Sequence, residues 1–483
     1  MGWQFGMDAR DGRGAGWHSG AMSAPAITPA STPAEREEAG RALRKTVPRS
    51  VHGAWAPAPD RPDPLALLAH EEEARLPELL PLRRERMAAS PFAFFRGAAA
   101  VMAADLAATP VTGLRVQLCG DAHLANFGGF AAPDRTLVFD VNDFDETLPG
   151  PWEWDVKRLA ASVAIAGREN GFDDGERERA VTATVRAYRE AVRAYAELRL
   201  LELWSARVDA DAVLDRWRRR ATRAELARFE RNVAKARGKD SLRAFAKLTE
   251  TVDGGVRIVS DPPLLVPVEE TAVGGTAPEV AAGMSGLLTA YRASVTGATA
   301  SLLARYRYVH AARKVVGVGS VGTRCWIVLL LGERDDDPLF LQAKEAGPSV
   351  LAPHLGGGRY RHGGRRVVEG QWLMQAASDP LLGWLSATGL DGVRRDFYVR
   401  QLWDWKLSAD VGQMAPAALA AYGQLCGATL ARGHARSGDG RAIGAYLGAG
   451  DRFDRALAVY AEACADQNER DHAALVAAQR GGG

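Results

Sequence analysis

Two short apolar runs, Arg115–Leu118 (RVQL) and Thr136–Val141 (TLVFDV), bracket a polar, glycine-containing stretch that reads CGDAHLANFGGFAAPD. This pattern predicts strand, loop, strand over residues 113–145. The loop then carries Asp121, His123 and Asn126, and Asp140 ends the second apolar run. Three kinds of site fit those residues: a two-metal hydrolase, a nucleotide-dependent phosphotransferase, or a strand-turn without chemistry.

The next constraint lies about two hundred residues on. Gly317-Val-Gly-Ser-Val-Gly322 separates KVV from TRCWIVLLLG, a run that reads as strand rather than helix. A dinucleotide fingerprint needs its last glycine to open a helix, so this one is excluded. A glycine hairpin between antiparallel strands instead fits a loop that covers phosphates, because Gly317, Gly319 and Gly322 carry no side chain to block approach to their amides. Ser320 lies in the same loop. The following apolar strand ends in an isolated cation, Lys344 in LFLQAKEA, where one ammonium can meet nucleotide phosphates. Glu369, in the helical stretch RRVVEGQWLMQ, can orient that Lys by ion pairing.

Oxygen donors at the first loop suit the same chemistry. A loop carboxylate, Asp121, can accept the proton of an attacking hydroxyl; Asn126 and Asp140 can hold magnesium, which takes hard oxygen ligands. Asp143 is the second candidate for the metal. Asp143, Asp145 and Glu146 can hold a further ion, attract a cationic acceptor, or form a solvated turn. The hydrolase reading uses Asp121 and His123 as a D-x-H pair with Gly450-Asp-Arg-Phe-Asp454, but that element lies more than 300 residues away in a helical region, and no Gly-Asn-His follows. A lone His lacks the partners of a zinc site, so His123 is read as structural.

Charge excludes other classes. Lys plus Arg is 61 and Asp plus Glu 59, a net of +2. No whole-protein field therefore argues for nucleic acid or an anionic membrane. Four cysteines without a CxxC pair suggest neither a zinc knuckle nor a disulfide framework, and no apolar run is long enough to span a bilayer. A cytoplasmic location is expected. Residues 1–60, rich in Gly, Ala, Pro and Ser, read as a flexible leader. Ser90-Pro91 is a helix-start signal for SPFAFFRG, whose aromatics read as core. Residues 285–313 read as helical, as do 365–378 and the chain from 416 onward.

At these residues the sequence resembles the protein-kinase-like phosphotransferases, especially the aminoglycoside and choline kinase branch, through a bacterial family of unknown function. Cys119-Gly-Asp-Ala-His-Leu-Ala-Asn126 matches their H-G-D-x-H-x-x-N loop except at Cys119, and an apolar strand ending in Asp140 follows. The resemblance implies ATP and Mg2+ as cofactors. It makes Asp121 the base, Asn126 and Asp140 metal ligands, and Asp155 the brace of the loop. Order along the chain is the reverse of the kinase order, since Gly317, Lys344, Glu369 and the strand Phe397–Leu402 come after the loop.

The expected fold is therefore α/β (α+β): a two-lobed kinase-like fold, circularly permuted, with extra helices. A mainly helical large lobe would span 61–300, a β-rich small lobe 310–407, and C-terminal helices 415–483 would complete the large lobe. If so, the helix over 417–440, which contains Leu430-Ala-Arg-Gly-His434, ends close to where residues 113–121 enter the loop. The expected activity is ATP- and Mg-dependent phosphoryl transfer to a hydroxyl acceptor, with a nucleotide and that acceptor as partners. AMP transfer, metallophosphoesterase chemistry and non-catalytic nucleotide binding are the alternatives.

Overall fold

Start signals in the sequence set the first helices. The computed structural model describes residues 31–210, 223–238, 240–252, 254–271, 277–389, 391–402 and 404–481. Thr32 and Glu35 form a reciprocal capping box that opens α1 (Pro33–Thr46). Gly40 lets α1 lie directly on the helix Gly440–Leu447, since a Cβ there would stand 2.2 Å from the Ala442 carbonyl oxygen. Arg36 pairs with Asp439 at 2.6 Å. The flexible leader expected over 1–60 is thus corrected for 33–46, because capping and distant docking offset the loop-like composition; residues 1–30 lie outside the described residues. Next come α2 (Pro64–Glu72), α3 (Leu80–Ala88), α4 (Pro91–Gly97) and α5 (Ala99–Ala107). Ser90 caps α4 by accepting from the Ala93 amide at 3.1 Å, and Phe92, Phe94 and Phe95 are buried as expected.

Four short strands follow: β1 (Arg115–Leu118), β2 (Phe127–Ala131), β3 (Leu137–Val141) and β4 (Leu148–Pro151). The two apolar runs that bracket the loop do not pair with each other. β1 pairs with β4, and β3 pairs with β2, which forms within the stretch read as loop. α6 (Trp152–Glu169) is buried all round from 152 to 167, so its polar residues need internal partners. Glu153, for one, accepts from both the amide and the hydroxyl of Thr112. α7 (Asp174–Ala196) packs beside it.

The remaining strands are β5 (Val208–Asp209), β6 (Thr249–Val252), β7 (Gly255–Ile258), β8 (Leu265–Pro267), β9 (Arg307–Lys314), β10 (Cys325–Leu331), β11 (Pro338–Glu345), β12 (Gly383–Thr388), β13 (Arg394–Gln401) and β14 (Leu407–Ser408). Six of them form one antiparallel sheet in the order β12-β13-β11-β10-β9-β8. The helical reading of 285–313 is corrected at β9, where pairing with β10 overrides local periodicity. Alternation along β11 puts Leu339 and Leu341 in a core with Val328, Val399 and Tyr291. On the other face Phe340 packs with Ile327, Leu329 and Leu402. That second face turns polar at Gln342 and Lys344, because successive side chains alternate sides. α8 (Gly363–Met374) crosses between β11 and β12 in sequence.

α9 (Pro416–Ser437), α10 (Gly440–Leu447) and α11 (Arg452–Gly481) return to α6 and α7. Gly423 and Gly427 bring α9 onto α7: a Cβ at Gly427 would lie 2.4 Å from the Thr184 carbonyl oxygen. The whole is a mixed α+β architecture. Among the described residues, no helix is long and apolar enough to cross a membrane.

Candidate active site

The loop after β1 is held from behind. Asp155, in the first turn of α6, accepts the Cys119 amide at 2.8 Å and the Gly120 amide at 3.1 Å. His434 of α9 meets the same carboxylate at 3.2 Å, and the Gln117 amide donates to the Ser437 hydroxyl at 3.1 Å. Helix α9 therefore ends against the strand that leads into the loop. Gly120 takes a φ of +90°, and a Cβ there would press to 2.4 Å from the Glu146 carbonyl oxygen, so both conformation and space call for glycine.

Asp121 projects from this braced loop, with 17% of its side chain exposed. Arg158 stands one turn beyond Asp155 on α6 and donates to Asp121 through Nε at 2.8 Å and Nη2 at 2.6 Å. His123 Nε2 lies 3.5 Å from its other oxygen. Burial pushes the Asp121 carboxyl up, but Arg158, His123 and Arg96 outweigh it and hold the group below the ordinary carboxylate range. Burial lowers His123 to about 4, so it is neutral at pH 7. Asn126 donates its Nδ2 to the Asp121 carbonyl at 2.8 Å, and no hydrogen bond among the described residues uses its Oδ1.

The carboxylates after β3 divide. Asp140 is buried, accepts the Val141 amide and forms an ion pair with Arg432 of α9. Asp143 and Asp145 instead meet Lys344 across the molecule: Lys344 is ion-paired with Asp145 and lies 3.9 Å from Asp143. Tyr398, opposite Lys344 in the sheet, donates its hydroxyl to Asp145 at 2.7 Å. Burial opposes the charge on Lys344, yet Asp143 and Asp145 outweigh it and hold the ammonium protonated. Burial and the neighbouring Asp145 push the Asp143 carboxyl up. The structure thus joins Lys344 to Asp143 and Asp145, whereas Asp140, ranked first as metal ligand on spacing, has its charge taken by a cation that no local pattern shows.

Glu369 likewise has another partner. It pairs with Arg365 one turn away at 3.1 Å, so the expected pair with Lys344 is absent. Its helix still reaches the site through Arg366, which donates to the carbonyls of Asp145, Thr147 and Gly347 at 2.8–2.9 Å. The glycine loop runs from β9 to β10 with Gly317 and Gly322 at φ of +63° and +90°. The Ser320 carbonyl accepts from the Thr323 amide and hydroxyl, closing the turn. Residues before α4 clamp the loop. Arg75 Nη1 donates to the Gly319 and Val321 carbonyls, each at 2.7 Å. Arg86 donates to the Gly317 carbonyl at 2.7 Å, and the Leu76 amide to Gly322 at 2.8 Å. A Cβ on Gly319 would lie 3.1 Å from the Arg96 carbonyl oxygen.

Sequence reasoning therefore missed Arg158, Arg432, Arg366, Tyr398 and Arg75. Only Arg158 carried a usable signal, its three-residue spacing from Asp155 on a helix. The hydrolase pattern finds no support: Asp454 is buried in an ion pair with Arg189, and the described residues hold no group of three or more His, Cys, Asp or Glu disposed to bind a metal. In comparisons with known proteins, the model of a family described as an uncharacterized protein conserved in bacteria (DUF2252) matches residues 75–478. No curated protein and no solved structure matches.

Proposed function

The chain belongs to this bacterial DUF2252 family, and from that premise we propose that it is an ATP- and magnesium-dependent phosphotransferase of the kinase-like type, acting on a hydroxyl acceptor. The observation that carries the reading is the ion pair of Lys344 with Asp145, with Asp143 beside it. It joins the strand after the glycine hairpin to the carboxylates after the Asp121 loop, residues that kinase-like chemistry needs together. The end of α9 at β1 supports the permuted order expected from the sequence.

The donor set suits magnesium, which binds through one or two carboxylates and keeps phosphate and water as its other ligands. Asn126 has an oxygen unused by the described residues, and Asp143 carries a carboxylate that burial and Asp145 disfavour, which a nearby cation would relieve. Asp140 is paired with Arg432, which leaves Asp143 the freer carboxylate for the metal. Magnesium held by Asn126 and Asp143 would supply charge neutralisation of the nucleotide phosphates. Lys344 would meet those phosphates, and Gly317, Gly319, Ser320 and Gly322 would cover them. The acceptor oxygen bonds to the γ-phosphorus as the bond to the β,γ-bridging oxygen breaks, ADP leaves, and the hydroxyl proton passes to Asp121. Arg158 keeps Asp121 ionised and so a weak base, which suits a loose transition state in which the proton leaves late.

The test is calorimetry of ATP with and without magnesium, on wild type and Lys344→Ala. The reading expects magnesium-dependent binding that falls at least tenfold in the variant, as loss of a charge-assisted contact implies. Absence of such binding in wild type would overturn it. With an acceptor found by metabolite screening, product label from γ-labelled but not α-labelled ATP is expected; the converse would mean AMP transfer.

A further inference from the structure

The motif SPFAFFRG carries, one residue before its end, a cation that packing alone does not explain. Ser90 caps α4, Phe92, Phe94 and Phe95 anchor it, and Gly97 closes against Met87, so the backbone of Arg96 is fixed. The Arg96 side chain forms no hydrogen bond or ion pair with the described residues, and its Nε is buried without a partner. Beside it, Arg158 is 2% exposed and stacks over the Phe95 ring at 3.9 Å. Arg158 donates to Asp121 and to the Phe95 carbonyl at 2.8 Å, but its buried Nη1 has no partner either. Buried donors are nearly always satisfied, and both guanidinium groups exert their charge on the one Asp121 carboxylate, which they help to hold ionised.

Their position is specific. Gly319, in the glycine loop, lies so near the backbone of Arg96 that a Cβ on it would stand 3.1 Å from the Arg96 carbonyl oxygen; Phe95 precedes Arg96 and accepts from Arg158, which pairs with Asp121. Residues 95, 96 and 158 thus stand between the loop that would cover the phosphates and the group that would accept the proton. We propose that Arg96 and the Nη1 group of Arg158 bind the phosphoryl group in transit and neutralise the charge on its equatorial oxygens. The proposal rests on the phosphotransferase reading above and adds two catalytic residues to it. No proton moves through either side chain. A planar guanidinium offers paired N–H donors to oxygens of one phosphoryl group, which an ammonium cannot do.

The experiment compares MgADP binding with and without fluoroaluminate, a mimic of the transferring phosphoryl group, by calorimetry on wild type, Arg96→Ala and Arg96→Lys. Wild type is expected to bind MgADP at least about tenfold more tightly with fluoroaluminate, as charge stabilisation by an arginine implies. Arg96→Ala is expected to lose that gain, and Arg96→Lys to keep only part of it. Affinity for MgADP alone should stay within about threefold, since the side chain meets the transferred group and not the diphosphate. Full retention of the gain in Arg96→Ala overturns the inference while leaving the phosphotransferase reading standing. Failure of wild type to bind MgADP overturns both. Should the alanine variant not fold, full retention in Arg96→Lys together with an equal gain in Arg158→Lys overturns the inference.

Discussion

The backbone amide of Gln117 donates to the hydroxyl of Ser437, 320 residues further along the chain, at 3.1 Å. One turn before Ser437, His434 reaches Asp155, which accepts the amides of Cys119 and Gly120. The loop bearing Asp121 is therefore shaped by the last quarter of the chain as well as by its own helix.

These contacts differ in weight. Asp155→Ala leaves the buried Cys119 amide and the half-buried Gly120 amide without an acceptor and is expected to cost about 3 kcal/mol, whereas Ser437→Ala removes one ordinary hydrogen bond worth about 1 kcal/mol. Urea unfolding measures both. A cost for Asp155→Ala no greater than that for Ser437→Ala would show that the brace is not structural.

Lys344→Met removes the cation from Asp145 while Tyr398 still donates to it. A half-buried carboxylate left without its cation is expected to destabilise by about 2 kcal/mol. Asp145→Asn in the same background should recover part of that loss. A double-mutant cycle reads the coupling, and additivity of the two changes would contradict a direct pair.

Glu146 sets a pH dependence. Burial raises its carboxyl from 4.5 to about 7, against the opposing pull of Arg366 and the Val350 amide. The folded chain then holds a proton that the unfolded chain releases, so stability falls as pH rises from about 4.5 through 7. Glu146→Gln is expected to remove that component, on the order of 2 kcal/mol after allowance for partial solvent exposure. Thermal unfolding at pH 5 and pH 8 measures it; an unchanged slope in the variant would refute the assignment.

Arg75→Ala removes two hydrogen bonds to the glycine-loop carbonyls. Amide exchange over residues 317–323 is expected to quicken by about tenfold, with strands β10 and β11 unchanged. Equal protection in variant and wild type would mean that the loop holds its shape unaided.

Local chemistry was legible and remote partnership was not. Ser90-Pro91 announced α4 and the run LFLQA placed Lys344 at a strand end, while the role of Asp155 as brace was what the resemblance of the loop to the kinase-like pattern implied. β9 was misread because Tyr308, Val309 and His310 settle as strand only when β10 is there to pair with them. Asp140 and Glu369 were placed by spacing, yet what decides their availability is a guanidinium: Arg432 from α9 for the first, Arg365 from the adjacent turn for the second. Arg75 and Arg96 sat among many arginines with no periodicity to mark them.

The long reach of these pairings has a consequence in time. At roughly 5–20 residues per second of synthesis, the loop residues leave the ribosome on the order of tens of seconds before α9 can supply His434, Ser437 and Arg432. Through that interval the Asp140 carboxylate lacks its counter-ion, Gly423 and Gly427 are not yet present to receive α7, and the apolar side of α6 and α7 stays open to solvent. The nascent chain is therefore expected to need protection from aggregation until α9 has been made.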